Sequence, residues 1–279
     1  MTTARLFKGF SSLPGSAKPR GMNRTGLLIG LALWVVIGLL FGLYPELDLK
    51  LAALFFDPAT KTFPLKLDAW AGVARDAAMW IAWAFALPSV VALVVKLVRP
   101  DRPLLVRGRT IIFLLVTLIL SAGILTNLAF KSYWGRPRPV VVTEFAGDLP
   151  FVPWWDPRGG CGRNCSFFSG EGATAFWTLA PAALAPPQWR PLAYAGAVVF
   201  GAVTSGLRMA FGGHFFTDVS IAGLVTFVVI WLAHALIYRW PRTRFSDEAV
   251  DAALTRLAWP AYRFRRRLFG RRPDPAPSI

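Results

Sequence analysis

Long apolar runs constrain this chain more than any other feature of its sequence. A helix that crosses a bilayer needs roughly 20 mostly apolar residues. The 279-residue chain is 55% hydrophobic and only 16% charged, whereas a soluble domain averages about 25% charged residues. The pattern predicts six spans, at about residues 25–44, 77–98, 110–130, 171–187, 189–207 and 218–238. We therefore expect an all-α polytopic membrane protein, a bundle of six transmembrane helices.

The fourth of these spans, at 171–187, is shorter than the others and contains Pro181. It is counted because the alternation of the chain across the bilayer requires it. Its small residues, Gly172, Ala173 and Ala175, also suit close packing against other transmembrane helices.

The basic residues predict the orientation of the bundle. The net charge is +16, and the cations cluster at both termini and in RPDRPLLVRGR, between the second and third spans. The positive-inside rule puts those parts in the cytoplasm. The outer segments are then residues 45–76, 131–170 and 208–217. The predicted organisation is a basic cytoplasmic segment at 1–24, a six-span domain at 25–238 and a basic cytoplasmic tail at 239–279.

Three regions outside the spans carry further expectations. The outer segment ELDLKLAALFFDP alternates acids with apolar residues, which predicts that it lies along the membrane interface. The tail run YRFRRRLFGRRP suits anionic headgroups, or serves only as a topology signal. The N-terminus leads into an uncleaved first span, with translation starting at Met1 or Met22. No nucleic-acid-binding motif accompanies the charge, so we expect no nucleic-acid partner. The sequence does not indicate an oligomeric state.

The first candidate site segment is KSYWGRPRP, which follows the third span on the outer side. The cations Lys131 and Arg138 can serve as ordinary interfacial anchors. However, the positive-inside rule predicts few cations on this side, and prolines stiffen the segment beyond what an anchor needs. Arg136 shares the segment and can point elsewhere.

Two more segments fall at the same membrane face. Ser169 and Gly170 stand where the fourth span begins, a helix start at which a serine caps and free N–H groups favour an anion. His214 and Asp218 are four residues apart and share a face if they are helical. The carboxylate can then hold one ring nitrogen and leave the other as a nucleophile. Arg208 adds a third cation.

Together these segments predict a pocket for a phosphate group with an attacking imidazole. Phosphoryl transfer needs neutralised oxygens and an in-line nucleophile, and arginine contacts phosphate oxygens in a bidentate manner. No metal-ligand cluster is apparent in the sequence. Cys161 and Cys165 flank GRN in the second outer loop; an oxidising compartment permits a disulfide between them, and two free thiols are the alternative.

These segments resemble the signature of the type 2 phosphatidic acid phosphatase superfamily. Residues Lys131 to Pro139 match its K-x6-RP element, SFFSGE corresponds to its P-S-G-H element, and Arg208, His214 and Asp218 match R-x5-H-x3-D. The resemblance implies that His214 forms a phosphohistidine, that Asp218 orients it, and that no metal or other cofactor takes part. It also implies that the phosphate is held by Lys131, Arg138, Ser169, Gly170 and Arg208.

The match has three departures. Leu207 and Phe168 replace a serine and a proline that are usual in the family. Glu171 stands where the family has the histidine that protonates the leaving group. The only other histidine, His234, is about 24 Å along the sixth span from Asp218, so it is expected to be packed away from the site. We therefore predict Glu171 as the leaving-group acid.

The predicted function is hydrolysis of a lipid phosphomonoester or pyrophosphate at the outer, periplasmic face of a bacterial inner membrane. Lipid A, phosphatidylglycerol phosphate, phosphatidic acid and undecaprenyl pyrophosphate are candidate substrates, and the resemblance favours a lipid A phosphatase. The alternatives are lipid-to-lipid phosphotransfer and a non-catalytic phospholipid-binding scaffold. Vanadate-dependent haloperoxidases share these motifs, but they are soluble.

Overall fold

A computed structural model describes residues 22–240 and 246–269. The expectations for the basic segment before Met22 and for the end of the tail lie outside the described residues. Within the described parts, the chain is helices and connecting loops, with no strand. The helices are α1 Arg24–Leu43, α2 Glu46–Ala53, α3 Ala69–Val98, α4 Gly108–Tyr133, α5 Gly170–Phe176, α6 Leu179–Ala183, α7 Arg190–Ala210, α8 Phe216–Arg239 and α9 Asp247–Leu268. Single 3₁₀ turns lie at Pro64–Lys66, Pro139–Val141 and Thr143–Phe145.

Five helices in the described residues, α1, α3, α4, α7 and α8, are long and apolar enough to cross a membrane. The prediction of an all-helical membrane protein is confirmed. Five of the predicted spans correspond to these helices. However, α3 begins at Ala69, eight residues before the predicted start at residue 77.

The fourth predicted span differs, because residues 171–187 form two short helices, α5 and α6, instead of one. A continuous helix would need the N–H of residue 181 to bond to the carbonyl of Trp177, and Pro181 has no N–H. That carbonyl instead accepts from the backbone N–H of Ala180 at 2.8 Å. The helix therefore breaks at the turn before Leu179.

The α5–α6 pair nevertheless runs along the bundle. At its start, the N–H of Ser169 donates to the carbonyl of Asp218, in the first turn of α8. After its end, the side chain of Arg190 donates to the carbonyl of Ala185, where α7 begins. Since α7 has 21 residues and rises about 31 Å, these two points lie at opposite ends of the bundle. A sixth single-helix span is not confirmed, and the six-span count stays a prediction.

Small residues set the spacing of the helices around α5. A Cβ added at Gly201 would lie 2.4 Å from the ring of Phe176, and one at Gly223 would lie 2.7 Å from the same ring. The glycines on α7 and α8 therefore let both helices close around this aromatic side chain, as is usual in membrane bundles. Next to it, the buried indole of Trp177 donates to the hydroxyl of Thr117 at 2.9 Å.

The segment between α1 and α3 folds over the end of the bundle where α7 ends and α8 begins, here called the α7–α8 end. Ala52 and Phe63 are buried in a cluster with Phe145 and Phe215. The turn between α7 and α8 fits beneath it, because Gly212 has a φ of +62° and lies directly against the ring of Phe63. Residues 69–76 of the predicted outer segment 45–76 belong to α3, and the position of the rest along the membrane interface stays a prediction.

The C-terminal tail contains an ordered helix, α9, that the sequence reading did not predict. It packs on α3 and α4 at the end of the bundle opposite to the α7–α8 end. Lys96 forms an ion pair with Asp251 at 2.9 Å, and Arg265 donates to the carbonyl of Val98 at 2.6 Å. His234 is buried, with Phe113 edge-on to its ring at 5.8 Å, as expected for a packed histidine.

Candidate active site

The structure brings the three sequence segments together at the α7–α8 end. His214 is 2% exposed. The pKa of its imidazole lies well below the usual 6.5, first because burial disfavours the charged form and then because Arg208, Arg138 and Lys131 surround it. These three cations come from two separate segments of the chain, Lys131 and Arg138 from KSYWGRPRP and Arg208 from the end of α7. The predicted clustering of positive charge around the histidine is therefore present.

A π-helix brings Lys131 to the site. The second half of α4, Ile119–Phe130, winds as a π-helix and ends directly before Lys131. A Cβ added at Gly170 would lie 3.4 Å from the Nζ of Lys131 and 3.2 Å from the methyl of Thr126. Glycine at the first position of α5 thus permits the ammonium group to approach that helix closely. Ser169 caps α5, its Oγ accepting from the N–H of Gly172 at 3.1 Å.

Arg138 is held by the loop that carries the disulfide. Its Nε and Nη2 donate to the carbonyl and side-chain oxygens of Asn164 at 3.1 and 2.8 Å. The neighbouring Cys165 is bonded to Cys161, so of the two alternatives left open by the sequence the structure has the disulfide. Burial lowers the pKa of Arg138, while the negative charges of Asp218 and Glu171 oppose that effect. Arg138 therefore lies within electrostatic range of both acids of the site.

The imidazole of His214 is oriented by a backbone carbonyl. Its Nδ1 lies 2.7 Å from the carbonyl oxygen of Ser166. A carbonyl can only accept a hydrogen bond, so this contact requires the proton on Nδ1 and leaves the lone pair on Nε2. The nitrogen available for attack is Nε2.

Asp218 does not bond to His214 directly, contrary to the geometry that the four-residue spacing predicted. Its Oδ2 is 3.9 Å from Nδ1. The helix α8 begins at Phe216, so His214 precedes it and the two residues do not share a helical face. Asp218 instead caps its own helix, with Oδ2 accepting from the N–H of Phe215 at 2.7 Å and from the hydroxyl of Ser166 at 2.5 Å.

Arg136 joins this carboxylate to α2, a connection that the sequence analysis missed. Its guanidinium is fully buried and donates to Asp218 at 2.5 Å and to Asp48 at 2.8 Å. Asp48 lies in α2 and accepts also from the backbone N–H of Thr217 at 3.0 Å. The arginine also donates to the carbonyl of Val152 at 2.9 Å. The ion-pair network of Arg136, Asp48 and Asp218 thus fixes the loop that carries His214.

Known proteins resemble the chain over most of this region. The PAP2 superfamily model matches residues 110–243. The lipid A 4'-phosphatase of Francisella tularensis subsp. novicida is 32% identical over 219 residues, which cover 78% of this chain and 98% of that protein. The chain belongs to the PAP2 superfamily.

Two further relatives of this PAP2 protein are also named lipid A 4'-phosphatase. The one from Rhizobium leguminosarum is 35% identical over 113 residues, 40% of this chain and 48% of that protein. The one from Rhizobium etli is 35% identical over 123 residues, 44% of this chain and 48% of that protein. No solved structure matches the chain. Together with the five apolar helices, these matches identify a bacterial integral membrane phosphatase of the lipid A phosphatase-like branch.

The PAP2 site has an unexpected feature at Glu171. Both oxygens of its carboxylate accept from Arg75, at 2.8 to 3.0 Å, and Oε2 lies 3.3 Å from the Nε of Arg208. Arg75 belongs to α3, outside the part of the chain that matches the family model. The sequence offered no local signal for it, because it is one cation in a segment without a motif.

The described residues contain no evident set of metal ligands. Among them, no group of three or more His, Cys, Asp or Glu side chains is assembled to hold an ion. The acidic side chains near the site, Asp218, Asp48 and Glu171, are each engaged by arginine. Independence of metal stays a prediction, which an activity assay with chelator can test.

The low pKa of His214 gives a first testable prediction for this PAP2 protein. The chain has two histidines, so His234→Gln leaves one ring for selective ¹⁵N labelling. We expect that ring to be neutral at pH 6.5 without added phosphate, with Nδ1 protonated and Nε2 free, and to titrate only well below that pH. Two-bond ¹H–¹⁵N spectra measure this. An imidazolium, or a proton on Nε2, at pH 6.5 would contradict the geometry.

Proposed function

We propose that this protein is a metal-independent lipid A 4'-phosphatase, which hydrolyses the phosphomonoester through a phosphohistidine on His214. One observation carries the proposal: the neutral imidazole is held at Nδ1 by a carbonyl and is surrounded by the charges of Lys131, Arg138 and Arg208. The relatives, which are named lipid A 4'-phosphatases, support lipid A as the substrate. A lipid phosphate would be attracted to the cations and would meet the free Nε2.

In the first half-reaction, the phosphate dianion lies against the three cations, with Ser169 and Gly170 at its edge as the family resemblance implies. Nε2 of His214 attacks the phosphorus atom in line with the ester bond. The Nε2–P bond forms as the P–O bond to the lipid breaks. The leaving oxygen takes up a proton and departs as the lipid alcohol. The sequence predicts Glu171 as the donor of that proton.

In the second half-reaction, a water molecule attacks the phosphorus atom and the Nε2–P bond breaks, while one proton of the water passes to the group that protonated the leaving oxygen. Inorganic phosphate leaves, and His214 returns to the neutral form with its proton on Nδ1. In this scheme, Asp218 acts on His214 indirectly, through neighbouring groups. Its carboxylate holds the hydroxyl of Ser166, whose carbonyl orients the imidazole, and it holds the N–H of Phe215 beside the histidine.

The proposed location of the reaction is the periplasmic face of the inner membrane. The basic helix α9 packs at the end of the bundle opposite to His214, with Arg265 bonded to the end of α3. The positive-inside rule places such a basic helix in the cytoplasm. The α7–α8 end then faces the periplasm, where a phosphorylated lipid can reach it by lateral diffusion. Trp155, 49% exposed in the outer loop, suits that interface.

The test is phosphate release by the purified protein in detergent micelles with chelator present. The panel is lipid A with ³²P at the 4' position, lipid A labelled at the 1 position, phosphatidic acid, phosphatidylglycerol phosphate and undecaprenyl pyrophosphate. We expect fastest release from the 4' position and, after rapid acid-free quenching, a protein-bound label that is stable to alkali and labile to acid. Loss of release upon chelation would contradict metal independence. Label in a second lipid would indicate phosphotransfer, and no release from any substrate would indicate a scaffold.

A further inference from the structure

Arg75 contributes to the site from a helix that the family signature does not include. It lies in the second turn of α3 and its side chain is 40% exposed, so it stands at the open side of the site. Its Nε is 3.0 Å from both oxygens of Glu171, and its Nη2 is 2.8 Å from one of them. Such a forked contact fixes the plane of the carboxylate as well as its position.

The fixed carboxylate faces the guanidinium of Arg208. Oε2 of Glu171 lies 3.3 Å from the Nε of Arg208, whose side chain is only 9% exposed. That Nε has no hydrogen-bond partner in the part of the chain that the structure describes. Glu171 is thus the nearest negative group to a phosphate-binding cation, and the contact is electrostatic.

The contacts run from Arg75 to Glu171 and from Glu171 to Arg208. This order indicates a positioning role for Glu171. A carboxyl group that protonates a leaving oxygen must turn a free O–H toward it, whereas both oxygens of Glu171 are occupied by arginine. A long cation that is already aligned loses less side-chain entropy when it binds a phosphate. Glu171 therefore has the geometry of a group that aligns Arg208.

We propose that Arg75 and Glu171 are positioning residues: Arg75 fixes Glu171, and Glu171 holds the guanidinium of Arg208 in place for the phosphate. This inference rests on the proposed function, and it gives Glu171 a role other than the proton donation that the sequence predicts. If it holds, Arg75 acts only through Glu171, and the two side chains form one functional unit.

A double-mutant cycle tests this dependence. Arg75→Gln, Glu171→Gln and the double variant are compared in kcat, in KM and in inhibition by inorganic phosphate. We expect each single variant to raise the KM and the phosphate inhibition constant by about 10-fold, a typical loss for a contact between neighbouring groups. In the double variant, KM and the phosphate inhibition constant should be no higher than in the more impaired of the two single variants. Arg75→Lys should recover only part of the affinity for phosphate because lysine cannot make the forked contact.

The pH profile separates the two roles of Glu171. If Glu171 is a positioning group, the alkaline limb of the pH profile of kcat stays where it is in Glu171→Gln. If Glu171 is the leaving-group acid, the same substitution removes that limb. Loss of the limb with unchanged inhibition by phosphate would overturn the proposal. So would multiplicative effects in the double variant, because they would mean that Arg75 contacts the substrate independently.

Arg158→Gln is the matched control. Arg158 makes the same kind of forked pair, to Asp156 at 2.9 Å through both Nε and Nη2, on an exposed loop. Its loss should change neither KM nor phosphate inhibition. If the wild type hydrolyses no lipid phosphate, the proposed function fails separately. The cycle is then read from the rise in melting temperature that inorganic phosphate causes, which should shrink equally in Arg75→Gln, Glu171→Gln and the double variant.

Discussion

Replacing His214 with glutamine is expected to lower kcat for lipid phosphate hydrolysis by about 10⁴-fold or more, as loss of a covalent nucleophile does in other hydrolases. The amide of glutamine has no basic nitrogen with which to attack phosphorus. The cations Lys131, Arg138 and Arg208 remain. Inhibition by inorganic phosphate should therefore change by much less than kcat, and no acid-labile phosphoprotein should form.

The matched control is His234→Gln, the same substitution in the other histidine of the chain. His234 is buried at the far end of α8 against Phe113. Its replacement should leave kcat within a few-fold of the wild type. Activity of His214→Gln within about 10-fold of the wild type would exclude a phosphohistidine, because general positioning effects alone would then account for the reaction.

The convergence of the site could be predicted because it follows from two simple physical rules. Apolar length fixes where the chain crosses the bilayer, and alternation then puts Lys131, Ser169 and His214 at one membrane face. Neither rule needs knowledge of the side-chain partners. This is why the sequence predicted the cations around His214 although they come from distant segments.

The orientation of the histidine could not be predicted in the same way. The argument from spacing assumed that His214 and Asp218 lie on one helix. The helix begins at Phe216, because Asp218 caps the N–H of Phe215 with its own side chain. A capping aspartate at the third helical position is a common start signal, and applying it would have put His214 outside the helix.

Buried ion pairs between distant segments left even less signal. Arg136 and Asp48 are 88 residues apart, and no periodicity relates them. An acid in an otherwise apolar stretch such as ELDLKLAALFF suggests that it has a buried partner, but it does not identify that partner. The break between α5 and α6 was easier to predict from the sequence, since Pro181 removes a specific backbone hydrogen bond.

The buried network predicts a second large effect, on stability. In Arg136→Met, the carboxylates of Asp48 and Asp218 would remain buried without their shared cation. Removing one partner of a buried ion pair typically lowers the free energy of unfolding by about 3–5 kcal/mol, and we expect a loss of roughly this size here. It corresponds to a melting temperature lower by about 10 °C for a chain of this size. Tryptophan fluorescence during heating in detergent measures it. Hydrolysis should fall as well, because Asp218 supports the Ser166 contact that orients His214.

Two comparisons decide whether the buried charge is the cause. Arg158→Met removes an arginine from an exposed pair with Asp156 and should leave the melting temperature unchanged, since such pairs contribute little. Adding Asp48→Asn to Arg136→Met removes one of the two unpaired carboxylates, so the double variant should be more stable than Arg136→Met alone. A double variant that is less stable by the sum of both single effects would show that Arg136 stabilises the fold through packing, including its 4.5 Å contact with the ring of Phe215, rather than through charge.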